Sequence, residues 1–240
     1  MVAMTIPTPI PITDRGLLRL LAWLSPSFPV GSYAYSHGAE FAVESAQVSD
    51  RETAEAWIVF IVEFGSGRID ADLFVAAYLA AEEHDVTKFI EAAAWGDALK
   101  GSAELGLESR AQGLAFFDAV LAAWPDEALA HFATALKEHG VHASYAIAVA
   151  AAAAFAGIGL QAALGAYLHA FAANITSAIV RLVPLGQTDG QKIVAALEPV
   201  IERALAQALE RDPADLGSAA FSVDWMSMKH ETQYSRLFRS

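Results

Sequence analysis

The chain has 240 residues, of which 55% are hydrophobic and 18% charged, and its formal net charge is -13. This composition excludes a disordered chain, and the negative charge argues against nucleic acids or anionic membranes as partners. Since the sequence has no cysteine, disulfides, thiolate metal sites and cysteine nucleophiles are excluded, and a cytoplasmic location is expected.

The chain begins with a segment that does not resemble a signal peptide. Residues 1–13 contain three prolines and no basic residue, so we expect them to be flexible. A first helix is predicted to begin with Asp14 as its N-cap and to end before Pro26, since the residue before a proline avoids the helical region. Residues 25–36 are then expected to form a structured loop.

Amphipathic helices are predicted through the rest of the chain from hydrophobic residues that recur every three or four positions. A capping box at residues 49–52 begins one helix, Asp85 begins another, and Gly140 is placed to end a third. Further helices are predicted over residues 70–83, 107–124, 142–156, 160–182 and 188–210. Since no segment alternates with a period of two, we predict a single all-α domain over residues 14–220, with about ten helices and no sheet.

Residues 139–180 contain no Asp, Glu, Lys or Arg. Such a length raises the possibility of a transmembrane segment. The stretch is rich in alanine, however, and Gln161, His169 and Asn174 would lack hydrogen-bonding partners in lipid. We therefore expect two central helices that are buried on all sides, and no membrane partner.

The sequence has no motif of a catalytic or metal site. It lacks nucleotide-binding loops, a nucleophile elbow and dense ligand clusters, and Gly140 separates the pair His139 and His142. Glu108 and Asp118 are interpreted as a solvated helix face. We expect a protein that is not an enzyme and that carries no metal or cofactor, while acid–base chemistry by Tyr35, His37 and Glu40 remains the alternative.

The last twenty residues differ in character from the acidic body of the chain. Residues 221–240 are rich in aromatic side chains, and three basic residues outweigh one glutamate after position 228. We expect this tail to be mobile until a partner binds and then to dock Tyr234, Leu237 and Phe238 into a groove, with Arg236 pairing to an acidic group.

Four segments are not explained by helix formation alone. They are residues 25–40 (SPSFPVGSYAYSHGAE), 108–113 (ESRAQG), 181–191 (RLVPLGQTDGQ) and 230–240 (HETQYSRLFRS). In this order they resemble the family of the urease accessory protein UreF, and the resemblance spans essentially the whole chain.

The resemblance implies an all-α, non-enzymatic adaptor that takes part in nickel insertion, and usually a homodimer. It also implies binding to the accessory protein UreD, also called UreH, recruitment of the GTPase UreG and nickel delivery into apo-urease. The expected partner-binding residues are Tyr33, Tyr35, Ser36, Glu40, Arg110, Gln112, Tyr234, Arg236, Leu237 and Phe238. A purely structural role of the loop, of Arg110 and of Gln112 remains open.

Overall fold

The computed structural model of the chain describes residues 12–240, and this part of the chain contains eleven α-helices and no β-strand. The predicted all-α class, with about ten helices, is therefore confirmed. Of the expected flexible segment 1–13, only Ile12 and Thr13 lie within the described residues. The helices are α1 (Asp14–Trp23), α2 (Ala39–Glu44), α3 (Arg51–Phe64), α4 (Ser66–Glu82), α5 (Val86–Ala98), α6 (Ala103–Ala123), α7 (Glu127–Glu138), α8 (Tyr145–Phe155), α9 (Leu160–Leu182), α10 (Gln187–Glu210) and α11 (Phe221–His230).

The helix ends follow local capping chemistry, with two shifts from the predictions. The N-cap of α1 is Thr13 rather than Asp14, because the Thr13 hydroxyl accepts the backbone N–H of Gly16 at 3.0 Å. The capping box of α3 consists of Asp50 and Thr53, one residue later than expected. Gly140 ends α7 in the left-handed conformation, with a φ of 65°, as its position predicts.

Helix α8 forms the centre of the core. Its residues Ala146–Ala153 are all buried, and it packs against α4, α6 and α9. The small side chains let neighbouring backbones approach closely: a Cβ atom at Gly113 of α6 would lie 2.2 Å from the carbonyl oxygen of Ala143. The charge-free sequence of α8 is thus explained by complete burial in protein.

Helix α9 is less buried than expected. It is long and apolar enough to cross a membrane by length and composition, and half of its most apolar stretch is buried in the protein. Gln161, His169 and Ser177 are exposed, so the prediction of burial on all sides is wrong for this helix. One face of α9 packs against α10, α8 and α4, while Gln161, His169 and Ser177 face outward.

Two features near the tail differ from the sequence analysis. Residues 221–230 form α11, and residues 231–240 lie against the body of the same chain. Helix α2 was not predicted, because its six residues are too few to show a periodic pattern. Helix α11 packs against both α2 and α6, and the three helices support the site described below.

Candidate functional site

The tail, defined here as residues 231–240, contacts the exposed carboxylate of Glu44 on α2 through the Gln233 side chain, and it contacts three less exposed carboxylates of the body. They belong to Glu40 on α2 and to Glu104 and Glu108 on α6. The tail and the end of α11 supply backbone N–H groups, an arginine, a histidine and a hydroxyl as donors. This set of contacts is called the tail site below.

Glu40 holds the backbone of the tail. Its carboxylate accepts the N–H of Leu237 at 2.6 Å and the N–H of Phe238 at 2.8 Å. The residue lies in the first turn of α2, which follows the left-handed Gly38 with a φ of 78°. A Cβ atom at Gly38 would lie 3.1 Å from the backbone nitrogen of Ser227, so a glycine is needed where α11 approaches α2.

His230 joins two of the carboxylates. Its side chain is fully buried, with Nδ1 2.6 Å from Glu104 Oε2 and Nε2 3.2 Å from Glu40 Oε2. The other oxygen of Glu104 accepts a hydrogen bond from Arg236 Nη1 at 2.6 Å. The end of α11 and the middle of the tail are therefore fixed to α2 and α6 by the same pair of acids.

Glu108 holds the last residue of the tail. The Ser240 hydroxyl donates to Glu108 Oε2 at 2.6 Å, and the Gln112 side-chain amide donates to Oε1 at 3.2 Å. The backbone N–H of Ser36 donates to the Ser240 carbonyl at 2.8 Å. Burial raises the pKa of Glu108 to about 7, against the smaller opposing effect of the Ser240 hydrogen bond.

Arg181 at the end of α9 links the loop to the tail. Its guanidinium lies 3.7 Å from the ring centre of Tyr33 and 4.4 Å from that of Phe238, and its Nη1 donates to the Tyr33 carbonyl at 3.0 Å. The Arg239 N–H also donates to the carbonyl of Ala34 at 2.8 Å. The motifs 25–40, 181–191 and 230–240, three of the four that carried the resemblance, thus meet around the Arg181 side chain.

A second buried polar cluster lies behind the tail site. Lys100 Nζ is 2.8 Å from Asp70 Oδ1, and the Tyr167 hydroxyl donates to Asp70 Oδ2 at 2.8 Å. His37 has a φ of 57°, and its Nε2 lies 2.5 Å from the Ser66 hydroxyl. Within residues 12–240 no group of three or more His, Asp or Glu side chains is arranged to hold a metal ion.

The outer surface of α11 and the tail exposes large apolar side chains. Trp225 is exposed, and the Lys229 ammonium lies 4.6 Å from the centre of its ring. Tyr234 is fully exposed. The exposed set comprises Phe221, Trp225, Met228, Tyr234 and Leu237. Exposed aromatic side chains held on a fixed backbone are typical of surfaces that bind other proteins.

The predicted partner-binding residues divide into three groups. Ser36, Glu40, Arg236, Leu237 and Phe238 meet at the tail site, with Gln112 beneath and Tyr33 beside it. Tyr35 is buried and Tyr234 faces solvent. Arg110 instead donates to Asp97 at 2.9 Å, in a pair that does not involve the tail.

Sequence reasoning missed four members of the tail site, namely Glu104, Glu108, His230 and Ser240. The interpretation of Glu108 as part of a solvated face is wrong, because its side chain is buried and bound to Ser240, whereas Asp118 is exposed. The spacing of four between Glu104 and Glu108 places both on one face of α6. That signal was present, but it does not distinguish a solvated face from a buried one.

The tail also differs from the expectation of a segment that folds only on a partner. Phe238 is buried against Arg181 and α2 of its own chain rather than in a partner's groove. The hydrogen bonds to Glu40, Glu104 and Glu108 supply the reason for this position. The mobility of the tail without a partner stays a prediction.

The described residues thus form an all-α fold with a tail site of buried polar contacts and with exposed aromatic side chains on the outer surface of α11 and the tail. A family model described as UreF matches residues 48–198 of the chain. Similar proteins include "Urease accessory protein UreF" of Granulibacter bethesdensis, which is 47% identical over 95% of both chains. Proteins of the same name are 42% identical in Magnetococcus marinus, over 95% of this chain and 99% of that protein, and 45% identical in Rhodopseudomonas palustris strain BisB5, over 95% and 92%. The chain therefore belongs to the UreF family.

Proposed function

We propose that this chain is an accessory protein of urease maturation that acts as a non-enzymatic adaptor. In this role it binds a protein like UreD (UreH), recruits the GTPase UreG and assists nickel delivery into apo-urease. Nickel is the cargo of the assembly, so the adaptor itself needs no resident metal. We place the protein in the cytoplasm and expect it to form a homodimer.

The observation that carries this proposal is the fixed backbone of the tail, which leaves Tyr234 and Leu237 exposed. Glu40 binds the N–H of Leu237, so its side chain is held in one place while it faces solvent. A preordered apolar surface binds a partner at a lower entropic cost than a mobile one. The names of the similar proteins support urease as the enzyme that is served.

We propose different roles for the exposed and the buried residues of the site. Tyr33, Tyr234 and Leu237 are exposed and would contact the partner directly. The buried residues Ser36, Glu40, Gln112 and Phe238 would act by positioning the tail, as would Arg236, which is exposed but bound to Glu104. Tyr35 would support the loop. Arg110 is about one third exposed and would add a polar contact at the edge of a second surface.

The first experiment tests the exposed surface without disturbing the core. Leu237→Asp should abolish copurification with a UreD-like protein, because it places a charge at the centre of an apolar contact. Leu18→Asp is the matched control, since Leu18 on α1 is 67% exposed and Leu237 is 68% exposed. Circular dichroism measures the helix content of both variants and so checks that they fold. Urease activity is measured in cells that express both partners.

The second experiment removes residues 230–240. It measures recruitment of the UreD-like protein, recruitment of UreG and activation of urease. We expect the truncated chain to fold and to lose at least one partner, with a loss of urease activation. If it recruits both partners and activates urease like the full chain, then the tail is not a recruitment element. If the full chain binds neither partner, the adaptor role itself is wrong.

A further inference from the structure

The tail site contains fewer fixed positive charges than carboxylates. Arg236 faces Glu104, whereas Glu108 is bound only by the neutral donors Ser240 and Gln112. The charge of Lys100 lowers the pKa of Glu108, but its ammonium is 2.8 Å from Asp70 and pairs with that residue. A buried carboxylate without a dedicated cation binds a proton more readily than one in water.

His37 does not supply the missing charge. Its Nδ1 lies 3.9 Å from Glu108 Oε2 and has no hydrogen-bonding partner. Burial lowers the pKa of His37 to about 4, against a smaller raising effect of Asp70, so the ring is neutral at ordinary pH. Ionised Glu108 therefore faces a neutral imidazole, a neutral hydroxyl and a neutral amide.

His230 brings a further ionisable ring into contact with two acids of the tail site. Both ring nitrogens face carboxylate oxygens, at 2.6 Å from Glu104 and 3.2 Å from Glu40. A neutral imidazole has only one N–H, so its other nitrogen would meet an oxygen lone pair. The acids on α2 and α6 thus meet at one buried ring at the end of α11.

We propose that the docking of the tail on Glu40, Glu104 and Glu108 is a proton-linked latch, which closes with proton uptake and opens as the pH rises. The proposal concerns the isolated chain and does not depend on which partner it binds. The latch makes the position of the exposed residues Tyr234 and Leu237 depend on pH.

The sign of the effect follows from Glu108. Its pKa is about 7 in the docked state, raised by burial from the ordinary value of 4.5. When the tail leaves, water reaches the carboxylate and its pKa falls back toward that value. The contribution of Glu108 to docking is thus fully present below about pH 4.5, and it is lost as the pH rises through about 7.

Other groups also act on the carboxylate of Glu108. The hydrogen bond from Ser240 of the tail and the charge of Lys100 in the connection before α6 lower its pKa, while Asp70 of α4 raises it. The groups that face His230 are Glu40 of α2 and Glu104 of α6, and Arg236 shares Glu104. Each linked proton changes the docking equilibrium by up to about tenfold per pH unit within its window.

The absence of cysteine makes the test direct, because a single Tyr234→Cys substitution can be labelled with a fluorophore. Tyr234 is fully exposed, so the label does not replace a buried contact. We expect the anisotropy of the label to be high at about pH 5.5 and to fall towards about pH 8.5, while circular dichroism is unchanged. An anisotropy that is the same at both pH values, whether high or low, would overturn the proposal.

Substitutions of Glu108 and His230 test whether these residues cause the pH dependence. In the labelled chain, Glu108→Gln cannot ionise, so it should move the midpoint to higher pH or flatten the transition, whereas Asp118→Asn on the exposed part of α6 should not. His230→Gln tests the latch from α11 and should lower the anisotropy at acid pH, with His131→Gln as the exposed control. If both test variants follow the unmodified profile, the transition does not arise at these residues and the latch is wrong.

Discussion

The carboxylate of Glu40 accepts the backbone N–H of Leu237 at 2.6 Å, although 197 positions separate the two residues in the chain. This bond orients a tail residue through its backbone and leaves the leucine side chain exposed. The same carboxylate also accepts the N–H of Phe238, whose side chain is buried. Glu40 therefore determines which tail side chains face inward and which face outward.

Glu40→Gln should loosen the tail. The amide group loses the negative charge and one of the two acceptor oxygens, and hydrogen bonds to a charged group contribute about 1.5–3 kcal/mol. We expect hydrogen exchange at the amides of Leu237 and Phe238 to be roughly ten to a hundred times faster. Glu52→Gln, in an exposed part of α3, is the control. Unchanged protection in the Glu40 variant would show that other contacts hold the tail.

Arg181→Lys should weaken the link between the loop and the tail. Lysine keeps the charge but lacks the planar group that contacts the rings of Tyr33 and Phe238. The expected cost is about 1 kcal/mol in urea denaturation, from the stacking and the bond to the Tyr33 carbonyl. Arg51→Lys, in a surface ion pair, should change stability by less than about 0.5 kcal/mol. Equal effects of the two substitutions would contradict a special role of Arg181.

Lys100→Met should destabilise the whole chain, because it leaves Asp70 buried with only the Tyr167 hydroxyl as donor. Removing one partner of a buried ion pair costs about 3–5 kcal/mol. The double variant Asp70→Asn with Lys100→Met should recover part of this loss. Lys88→Met removes an exposed pair and should cost less than about 1 kcal/mol. A small loss for Lys100→Met would mean that Asp70 is solvated or protonated.

Gly113→Ala should also be destabilising, by about 1–3 kcal/mol or more. The added Cβ atom would lie 2.2 Å from the carbonyl oxygen of Ala143, which cannot move without shifting the backbone before α8. Gly106→Ala is the control on the same helix, since its Cβ would meet only the flexible side chain of Arg110 at 3.5 Å. Thermal melts should show a lower midpoint for Gly113→Ala and an equal or higher one for Gly106→Ala.

Much of the fold could be predicted from local sequence signals. The bounds of α9 agree with the prediction because a glycine precedes Leu160 and a proline follows Leu182 closely. The cap at Asp85 and the glycine at position 140 were also identified correctly. Helix α2 and helix α11 were missed, since a helix of six residues shows no periodicity and α11 has apolar residues on more than one face.

The candidate site could be predicted only in part. The motifs contained Ser36, Glu40, Arg236 and Phe238, which do meet in space. Glu104 lies outside the motifs, and Glu108 lies in the motif 108–113 but was interpreted as part of a solvated face, because acidic residues at helical spacing are usual on such a face. Arg110 lies in a motif but pairs with Asp97, because its side chain points away from the tail.

The sequence by itself determined the all-α class, most helix ends and the burial of the alanine-rich α8, because these depend on propensity, capping and the lack of charge along a short stretch. Only the tertiary structure decided that the tail lies on its own chain and that Glu108 is buried. Hydrogen bonds such as that between Glu108 and Ser240 join residues 132 positions apart. Their existence depends on how α2, α6 and α11 pack, and no local pattern records that geometry.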